Sequence, residues 1–218
     1  MPPYRPPRPL DPVEIRILGC LVEKELSSPN TYPLSLNALL AAANQKSNRD
    51  PVLDLDEGAL EEALERLLPE VLVWRVRSSR VLRWQHNLGA KWDLDPGDKA
   101  ILSELLLRGE QTPGELRART ARMHAIDELA TVLDHLERLA HLDLVQELPR
   151  QPGQKETRWR HLLGATVPIP APREASSEVA APRSRAAGNL EARVADLETR
   201  LEEVAAELHR LRRDLGSE

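Results

Sequence analysis

The tetrapeptide Arg83-Trp84-Gln85-His86 returns later in the chain, with one substitution, as Arg158-Trp159-Arg160-His161. We interpret both copies as the second strand of a β-hairpin, with a tryptophan at the same position in each. A duplicated strand predicts that one folding unit occurs twice. We expect Trp84 and Trp159 each to pack a hairpin onto three helices of its own unit.

Other segments repeat in the same order on the N-terminal side of each tetrapeptide. Asp11-Pro12-Val13-Glu14 corresponds to Asp95-Pro96-Gly97-Asp98, and Leu64-Glu65-Arg66-Leu67 corresponds to Leu136-Glu137-Arg138-Leu139. Aspartate suits a helix N-cap, proline suits the first helical position, and a glutamate two residues after the proline can bond back to the cap. A helix therefore begins at each aspartate. In the first, Ile15, Leu18, Val22 and Leu26 line one face.

Each copy is predicted to contain three helices followed by two strands. The first has helices near 12–26, 34–44 and 56–68 and strands near 71–77 and 81–86; the second has helices near 96–108, 113–121 and 126–140 and strands near 143–148 and 157–163. Three helices closed by a hairpin, with a short turn before the third, are typical of a winged helix. The predicted fold class is α+β, mainly helical, with two tandem winged-helix domains at 10–92 and 93–165.

Three further segments flank these domains. Residues 1–9 contain five prolines and predict a disordered, extended arm. Residues 166–188 are rich in Pro, Ala and Ser and predict a flexible linker.

Residues 189–218 have a heptad pattern, which predicts a coiled-coil helix and a homodimer. Charges beside the seam complement each other in both parallel and antiparallel pairing, and the alternative is a helix that folds back onto its own domains. The apolar seam residues are Leu190, Val194, Leu197, Leu201, Val204, Leu208, Leu211 and Leu215.

Composition limits the possible functions. The 218 residues carry a formal charge of −5, so no global positive field attracts nucleic acid or anionic lipid. Cys20 is the only cysteine, which excludes an intramolecular disulfide and favours a reducing cytoplasm. We find no secretion signal and no apolar run long enough for a membrane span. Phosphate-loop, zinc-protease and serine-hydrolase motifs are absent from the sequence, so we expect a protein that is not an enzyme and needs no metal or cofactor.

Charge patterns decide where nucleic acid could bind. In the first copy the third helix exposes Glu57, Glu61 and Glu65, which would repel phosphate. In the second copy basic side chains gather on the second helix and the hairpin, as in a wing that contacts phosphate; a solvated charged hairpin is the alternative. The nucleic-acid-binding candidates are Arg117, Arg119, Arg122, Arg150, Lys155, Arg158 and Arg160.

Two features of the first copy suggest contacts with a partner. A polar insertion runs from Asn44 to Pro51 and offers donors to base edges or a peptide backbone, although its amides could equally cap their own turns. The hairpin carries arginines at alternate positions, which we place on one strand face. The partner-binding candidates are Lys46, Asn48, Arg49, Arg75, Arg77, Arg80 and Arg83. We interpret His86 and His161 as a duplicated structural residue and Cys20 as a core thiol.

These stretches resemble the YceH-like family of uncharacterised bacterial proteins, which are described as paired winged-helix domains. The resemblance covers residues 10–163. One segment, Met123-His124-Ala125-Ile126-Asp127, departs from the family pattern. The resemblance implies the fold but assigns no functional residues. Its motifs are Glu14-Ile15-Arg16-Ile17-Leu18-Gly19-Cys20-Leu21-Val22-Glu23-Lys24-Glu25, Tyr32-Pro33-Leu34-Ser35-Leu36-Asn37, Asn44 to Val52, Leu106-Leu107-Arg108-Gly109, Thr112-Pro113-Gly114-Glu115-Leu116-Arg117, and Pro152-Gly153 through Trp159.

Two functional hypotheses follow. The first is a cytoplasmic bacterial DNA-associated protein, possibly regulatory, that contacts the phosphates of double-stranded DNA mainly through the second domain and its wing. The alternative is a scaffold that binds partner proteins, similar to the acidic winged-helix subunit of bacterial condensin. The acidic third helix and the low isoelectric point favour the alternative.

Overall fold

The structure, a computed structural model, describes residues 4–78, 81–150, 154 and 156–165. Helices and two small antiparallel sheets make up this part of the chain, an α+β architecture. The predicted linker at 166–188 and the predicted coiled coil at 189–218 lie outside the described residues.

The N-terminal repeat, which we define as residues 12–86, contains three helices and a three-stranded sheet. The strand order is β1-β3-β2, all antiparallel, and Leu34 of β1 lies opposite Trp84 of β3. Both of these side chains are buried in the core. The elements are α1 (Pro12–Ser27), a 3₁₀ turn (Pro29–Thr31), β1 (Leu34–Ser35), α2 (Leu36–Ala43), α3 (Glu57–Leu67), β2 (Val73–Ser78) and β3 (Val81–His86).

The C-terminal repeat, residues 96–161, has the same order of three helices and a hairpin. In its two-stranded sheet Trp159 lies opposite Glu147, and the Trp159 ring is buried. A short helix, α4 (Leu88–Trp92), connects the two repeats. The other elements are α5 (Pro96–Arg108), α6 (Pro113–Thr120), α7 (Leu129–His141), β4 (Val145–Leu148) and β5 (Arg158–His161).

Three local features differ from the sequence-based expectation. Residues 34–35 pair with β3 as a strand, so α2 begins at Leu36. The connection at residues 87–94 contains α4. The third helix of the C-terminal repeat begins at Leu129 and not near residue 126, because Ile126 turns into the core before the helix starts.

Both first helices begin as the repeat predicts. Asp11 caps α1 and Asp95 caps α5, each in a capping box with the acidic residue three positions later. In each repeat an arginine of the third helix contacts this box. Arg66 bonds Asp11 at 2.6 Å and Glu14 at 3.1 Å, and Arg138 bonds Asp95 at 3.0 Å. The third helix is thereby tied to the start of the first.

The two repeats pack through α1 and α5. The Ser103 hydroxyl of α5 donates to the Gly19 carbonyl of α1 at 3.0 Å. A Cβ atom on Gly19 would lie 2.8 Å from the Leu107 side chain, so the helices approach closely only because residue 19 lacks one. Residues 16–23 of α1 are all buried. The sequence predicted one apolar face for α1, whereas the helix is covered on two sides.

Residues 4–9 lie against the folded unit, in contrast to the predicted disordered arm. The Trp92 indole N–H donates to the Tyr4 carbonyl at 2.7 Å, and the Lys91 ammonium lies 3.7 Å from the centroid of the Tyr4 ring. Arg8 donates to Glu14 at 2.7 Å. Proline favours an extended backbone but does not prevent packing when an aromatic side chain can be buried.

None of the helices in the described part of the chain is both long and apolar enough to cross a membrane.

Candidate functional site

The hairpin of the N-terminal repeat exposes apolar side chains on the sheet face that points away from the core. In the register of β2 and β3, Trp74 lies opposite Gln85 and Val76 opposite Arg83. Trp74 is 44% exposed and Val81 is 48% exposed, and Val76 is half-buried. We call Trp74, Val76 and Val81 the outer sheet patch. The opposite face carries Val73, Trp84 and His86, which are buried.

The hairpin arginines do not share one face, which corrects the prediction. Arg75 and Arg77 lie on the face that carries Trp84, whereas Arg83 lies on the outer face. Arg75 pairs with Glu65 of α3 and its guanidinium lies 5.2 Å from the Trp84 ring centroid. Arg83 donates to the Pro33 carbonyl at 2.8 Å. Arg77 is exposed, and its side chain bonds no described residue. Arg80 lies outside the described residues.

The polar insertion is largely structural, as the capping interpretation expected. The Asn44 side chain exchanges two hydrogen bonds with the backbone of Leu55, at 2.8 and 2.9 Å. Arg49 was a partner-binding candidate, but its side chain is 0% exposed and cannot meet a partner. Asn48 accepts from Arg108. Lys46 is exposed and remains a candidate.

Three buried charged side chains and the partly exposed Arg122 form an ionic cluster between the repeats. Arg49 bonds Glu23 of α1 at 2.6 Å. Arg122 pairs with the same Glu23 and with Glu104 of α5, the latter at 2.7 Å. Burial alone would raise the pKa of Glu23, but hydrogen bonds from Arg49 and the charge of Arg122 lower it below its ordinary value. Arg122, a nucleic-acid candidate, therefore has a structural partner in each repeat.

Four other nucleic-acid candidates, Arg117, Arg119, Arg158 and Arg160, form a basic edge along α6 and β5, largely occupied by internal contacts. Arg119 and Arg158 both lie near Glu115, at 3.2 and 3.4 Å. Arg117 is exposed, and its guanidinium bonds no described residue. Arg150 donates to the Gln154 carbonyl at 2.7 Å and Arg160 to the Gln146 side chain at 3.0 Å. Lys155 lies outside the described residues.

The third helix of the C-terminal repeat exposes leucines. Leu129 is 41% exposed and Leu133, one turn later, is 38% exposed. Asp134 and Glu137 are exposed on the same helix. We call Leu129 and Leu133 the α7 patch. Sequence reasoning missed it, because a leucine on a helix is expected in the core until the packing of its neighbours is known.

The third helix of the N-terminal repeat has the predicted acidic surface. Leu60, Ala63, Leu64 and Leu67 are fully buried. Glu57, Glu61 and Glu65 are exposed. Carboxylates on this surface repel phosphate and release no counterions.

A cleft beside α1 collects polar side chains that sequence reasoning did not bring together. It has a volume of about 360 Å³ and is lined by Glu25, Tyr32, His86 and Lys99 among others. Glu25 accepts from Lys99 at 2.6 Å and from His86 at 3.0 Å. Burial would raise the pKa of Glu25, but these two hydrogen bonds lower it to about 2. The three side chains satisfy one another.

The His86 ring is fixed on both sides. Its Nδ1 accepts from the Leu88 backbone at 3.1 Å, so Nε2 carries the proton toward Glu25. His161, at the equivalent position, has no acidic partner among the described residues, and burial lowers its pKa to about 4. His86 is buried and His161 is half-buried, so the two equivalent histidines differ in burial and in bonding.

Asp95, Asp98 and His135 have ligand atoms close enough for a metal ion. The guanidinium of Arg138 lies 3.0 Å from both Asp95 and Asp98. Arg66 occupies the equivalent position in the N-terminal repeat, and a positive charge already balances the carboxylates. We therefore interpret the cluster as a helix cap.

Cys20 is fully buried, as expected of a core thiol, and burial raises its pKa to about 11. At neutral pH it is a thiol with no access to solvent.

The sequence family is defined by comparison with known proteins. A family model described as a protein of unknown function, DUF480, matches residues 10–154. The chain belongs to this family. A UPF0502 protein of Geobacter sulfurreducens is 50% identical over 74% of this chain and 75% of its own length.

Other members of the DUF480 and UPF0502 family align over more of the chain. A UPF0502 protein of Azoarcus sp. is 42% identical over 93% of this chain and 89% of its own length. A relative from Xanthomonas campestris is 43% identical over 95% of both chains. The family range contains the outer sheet patch, the α7 patch and the α6 part of the basic edge.

Proposed function

We propose that this protein is a non-enzymatic adaptor, built from two tandem winged-helix domains, that binds a partner protein. The observation that carries the proposal is the α7 patch. A third helix that reads DNA presents polar side chains to the groove, but α7 presents Leu129 and Leu133 to solvent. Exposed apolar side chains with a polar rim are typical of protein interfaces.

The charges around the third helices support a protein partner. Asp134 and Glu137 are exposed on α7, and Glu57 and Glu61 on α3. These carboxylates would repel a phosphate backbone. A scaffold similar to the acidic winged-helix subunit of bacterial condensin has this combination of fold and charge.

A variant-dependent capture experiment tests the adaptor. The full-length protein and its Leu129→Ala/Leu133→Ala variant are expressed in the native host, and co-purifying proteins are quantified. We expect one partner to co-purify with the natural sequence in near-stoichiometric amounts. The variant should recover about tenfold less of this partner, or even less, because it lacks the interface anchors. A Val52→Ala variant, which shortens an exposed side chain outside the patch, is the matched control. Equal recovery with all three proteins contradicts the proposal.

DNA binding is the second candidate function, supported by Arg117. Its guanidinium is free of internal partners in the described structure, and on the hairpin Arg150 is exposed and Arg158 half-buried. Anisotropy of a labelled random-sequence duplex across a salt series tests it. DNA binding predicts a steep fall of affinity with salt and a shallower slope for Arg117→Ala, by roughly one unit for each lost phosphate contact. No binding at low salt contradicts it.

We also propose a homodimer through the seam residues at 190–215. The heptad pattern supports this step. Sedimentation velocity of the full chain and of residues 1–165 tests it, with a dimer expected only for the full chain. Equal molecular mass for both contradicts it.

A further inference from the structure

We propose that β2 binds an extended segment of a partner protein as an added strand, and that this segment alternates apolar and acidic side chains. The inference rests on the proposed adaptor function only in taking the partner to be a protein. It concerns a different surface, since β2 belongs to the N-terminal repeat and the α7 patch to the C-terminal one.

The first observation is that β2 is an edge strand. In the sheet order β1-β3-β2, β3 pairs with every residue of β2 on one side, and no other strand of the described chain pairs with its second side. An edge strand presents unpaired N–H and C=O groups that can pair with another chain. Its sequence, Val73-Trp74-Arg75-Val76-Arg77-Ser78, contains no proline that would interrupt such pairing.

The second observation is the outer sheet patch. Trp74 on β2 and Val81 on β3 are nearly half exposed, and Val76 lies two residues after Trp74, on the same face. Tryptophan is the side chain most often found as an energetic anchor of a protein interface. A strand added beside β2 would place every second side chain on the same face as this patch, since side chains alternate across a sheet.

The third observation is charge. The hairpin from Leu72 to His86 contains four arginines and no acidic residue, in a chain of net charge −5. Arg77 is exposed and unpaired within the described structure. A second copy of β2 would bring the same arginines together, and like charges opposite each other destabilise a strand pair. The charge pattern therefore favours a different, acidic chain over a second copy.

A nucleic acid is less compatible with the same surface. Arg75 pairs with Glu65, so the acidic surface of α3 adjoins the hairpin. A polyanion broad enough to contact several arginines would also meet these carboxylates. A single extended peptide can follow β2 alone.

The register defines the expected ligand. Its residues beside Trp74 and Val76 are apolar, and its residue beside Arg77 is acidic, because neighbours across a strand pair share a face. Arg75 keeps its pairing with Glu65. The ligand is thus a period-two segment in which valine or isoleucine alternates with glutamate or aspartate.

Labelled synthetic peptides test this ligand against the full-length protein by fluorescence anisotropy. The probes are an acidic peptide that alternates Val and Glu, a basic peptide that alternates Val and Lys, and the acidic peptide with a central proline. We expect saturable binding of the first only. The proline control separates strand addition from charge attraction, since it removes a backbone donor and leaves the charge unchanged.

Variants place the binding on β2. Trp74→Ala and Arg77→Glu should each weaken binding of the acidic peptide about tenfold, the effect of losing one anchor. Arg77→Glu should also improve binding of the basic peptide. Circular dichroism confirms that both variants fold. The α7 variant Leu129→Ala/Leu133→Ala should bind the acidic peptide as well as the natural protein does.

Three results overturn the proposal: no saturable binding of the acidic peptide, equal binding of the proline peptide, or tighter Arg77-dependent binding of a single-stranded DNA of similar length. Each would leave the α7 capture experiment unaffected, so failure of the strand site and failure of the adaptor function are distinguishable.

Discussion

Gly19 lies where α1 crosses α5, and its lack of a side chain sets the distance between the helices. Its added Cβ would meet Leu107 at 2.8 Å and Leu106 at 3.2 Å. Both neighbours are in the core, where little space is available for rearrangement.

We expect Gly19→Ala to lower the free energy of unfolding by roughly 1–3 kcal/mol, the usual cost of overpacking a core. Gly58→Ala in α3 is the control, because its Cβ would approach Asp56 only at 3.4 Å. In an exposed helix that change should be neutral or stabilising by up to about 1 kcal/mol. Urea denaturation compares the two variants. Equal stability of both would contradict the close crossing.

Glu25 makes stability depend on pH. The folded protein holds its pKa at about 2, below the ordinary 4.5, because Lys99 and His86 bond the carboxylate. A lowered folded pKa gives stabilisation that is complete above pH 4.5 and is lost as pH falls through 4.5 toward 2. The Glu25→Gln variant lacks this titration.

The difference in stability between the natural protein and Glu25→Gln should therefore be largest near pH 7 and should shrink between pH 4.5 and 2. Denaturant unfolding at several pH values measures it. A difference that stays constant from pH 7 to 3 would show that the carboxylate is not stabilised by its partners.

At the scale of elements, the first and third helices of both repeats are joined by the same contact between an arginine and a capping box. Arg66 contacts the capping box of α1, and Arg138 contacts that of α5. Glu14 and Asp98, the inner carboxylates of the two boxes, are fully buried.

Replacing either arginine with alanine removes hydrogen bonds to a buried carboxylate. We expect Arg66→Ala and Arg138→Ala each to cost roughly 1–3 kcal/mol of unfolding free energy. Thermal or urea unfolding measures the loss, with Arg117→Ala, an exposed arginine without internal bonds, as the control. A loss of unfolding free energy no larger than that of the control would show that the contact contributes no more than a surface ion pair.

Most element boundaries were predictable because they depend on local signals. The Asp-Pro caps set the first residues of α1 and α5. The two-residue strand β1 and the short helix α4 were not predictable in this way. Each is held by its neighbours: Leu34 by β3, and Trp92 by Tyr4.

At the scale of the whole molecule, the described residues form a single compact unit. Residues 100–107 of α5 are all buried, a pattern of a helix covered on more than one side. One side packs against α1, so the C-terminal repeat by itself would expose apolar surface.

We expect a fragment of residues 94–165 to lack stable helical structure, while residues 1–165 fold. Circular dichroism and a urea titration distinguish the two outcomes. A cooperative transition of the shorter fragment would show that α5 and its own repeat suffice for folding.

The candidate sites were predictable only in part. The acidic surface of α3 follows from the spacing of its glutamates. The roles of Arg49 and Arg122 did not follow, because a charge run in sequence does not show which arginine meets a buried carboxylate from a distant segment. The outer sheet patch and the α7 patch were not predicted either, because the sequence does not show which apolar side chains lack a neighbour that covers them.

The sequence by itself determined the duplicated order of helices and hairpins, the caps that begin them, the acidic stripe and the absence of a disulfide within the chain. These depend on residues a few positions apart, whose geometry a helix or strand fixes. Only the tertiary structure decided that α1 and α5 pack together through Gly19, that Arg49 is internal and Arg122 bonds both repeats, and that Trp74 and Leu129 face solvent. Those outcomes depend on contacts between residues far apart in the chain, where burial is decided by what packs on each side of an element and not by its own pattern.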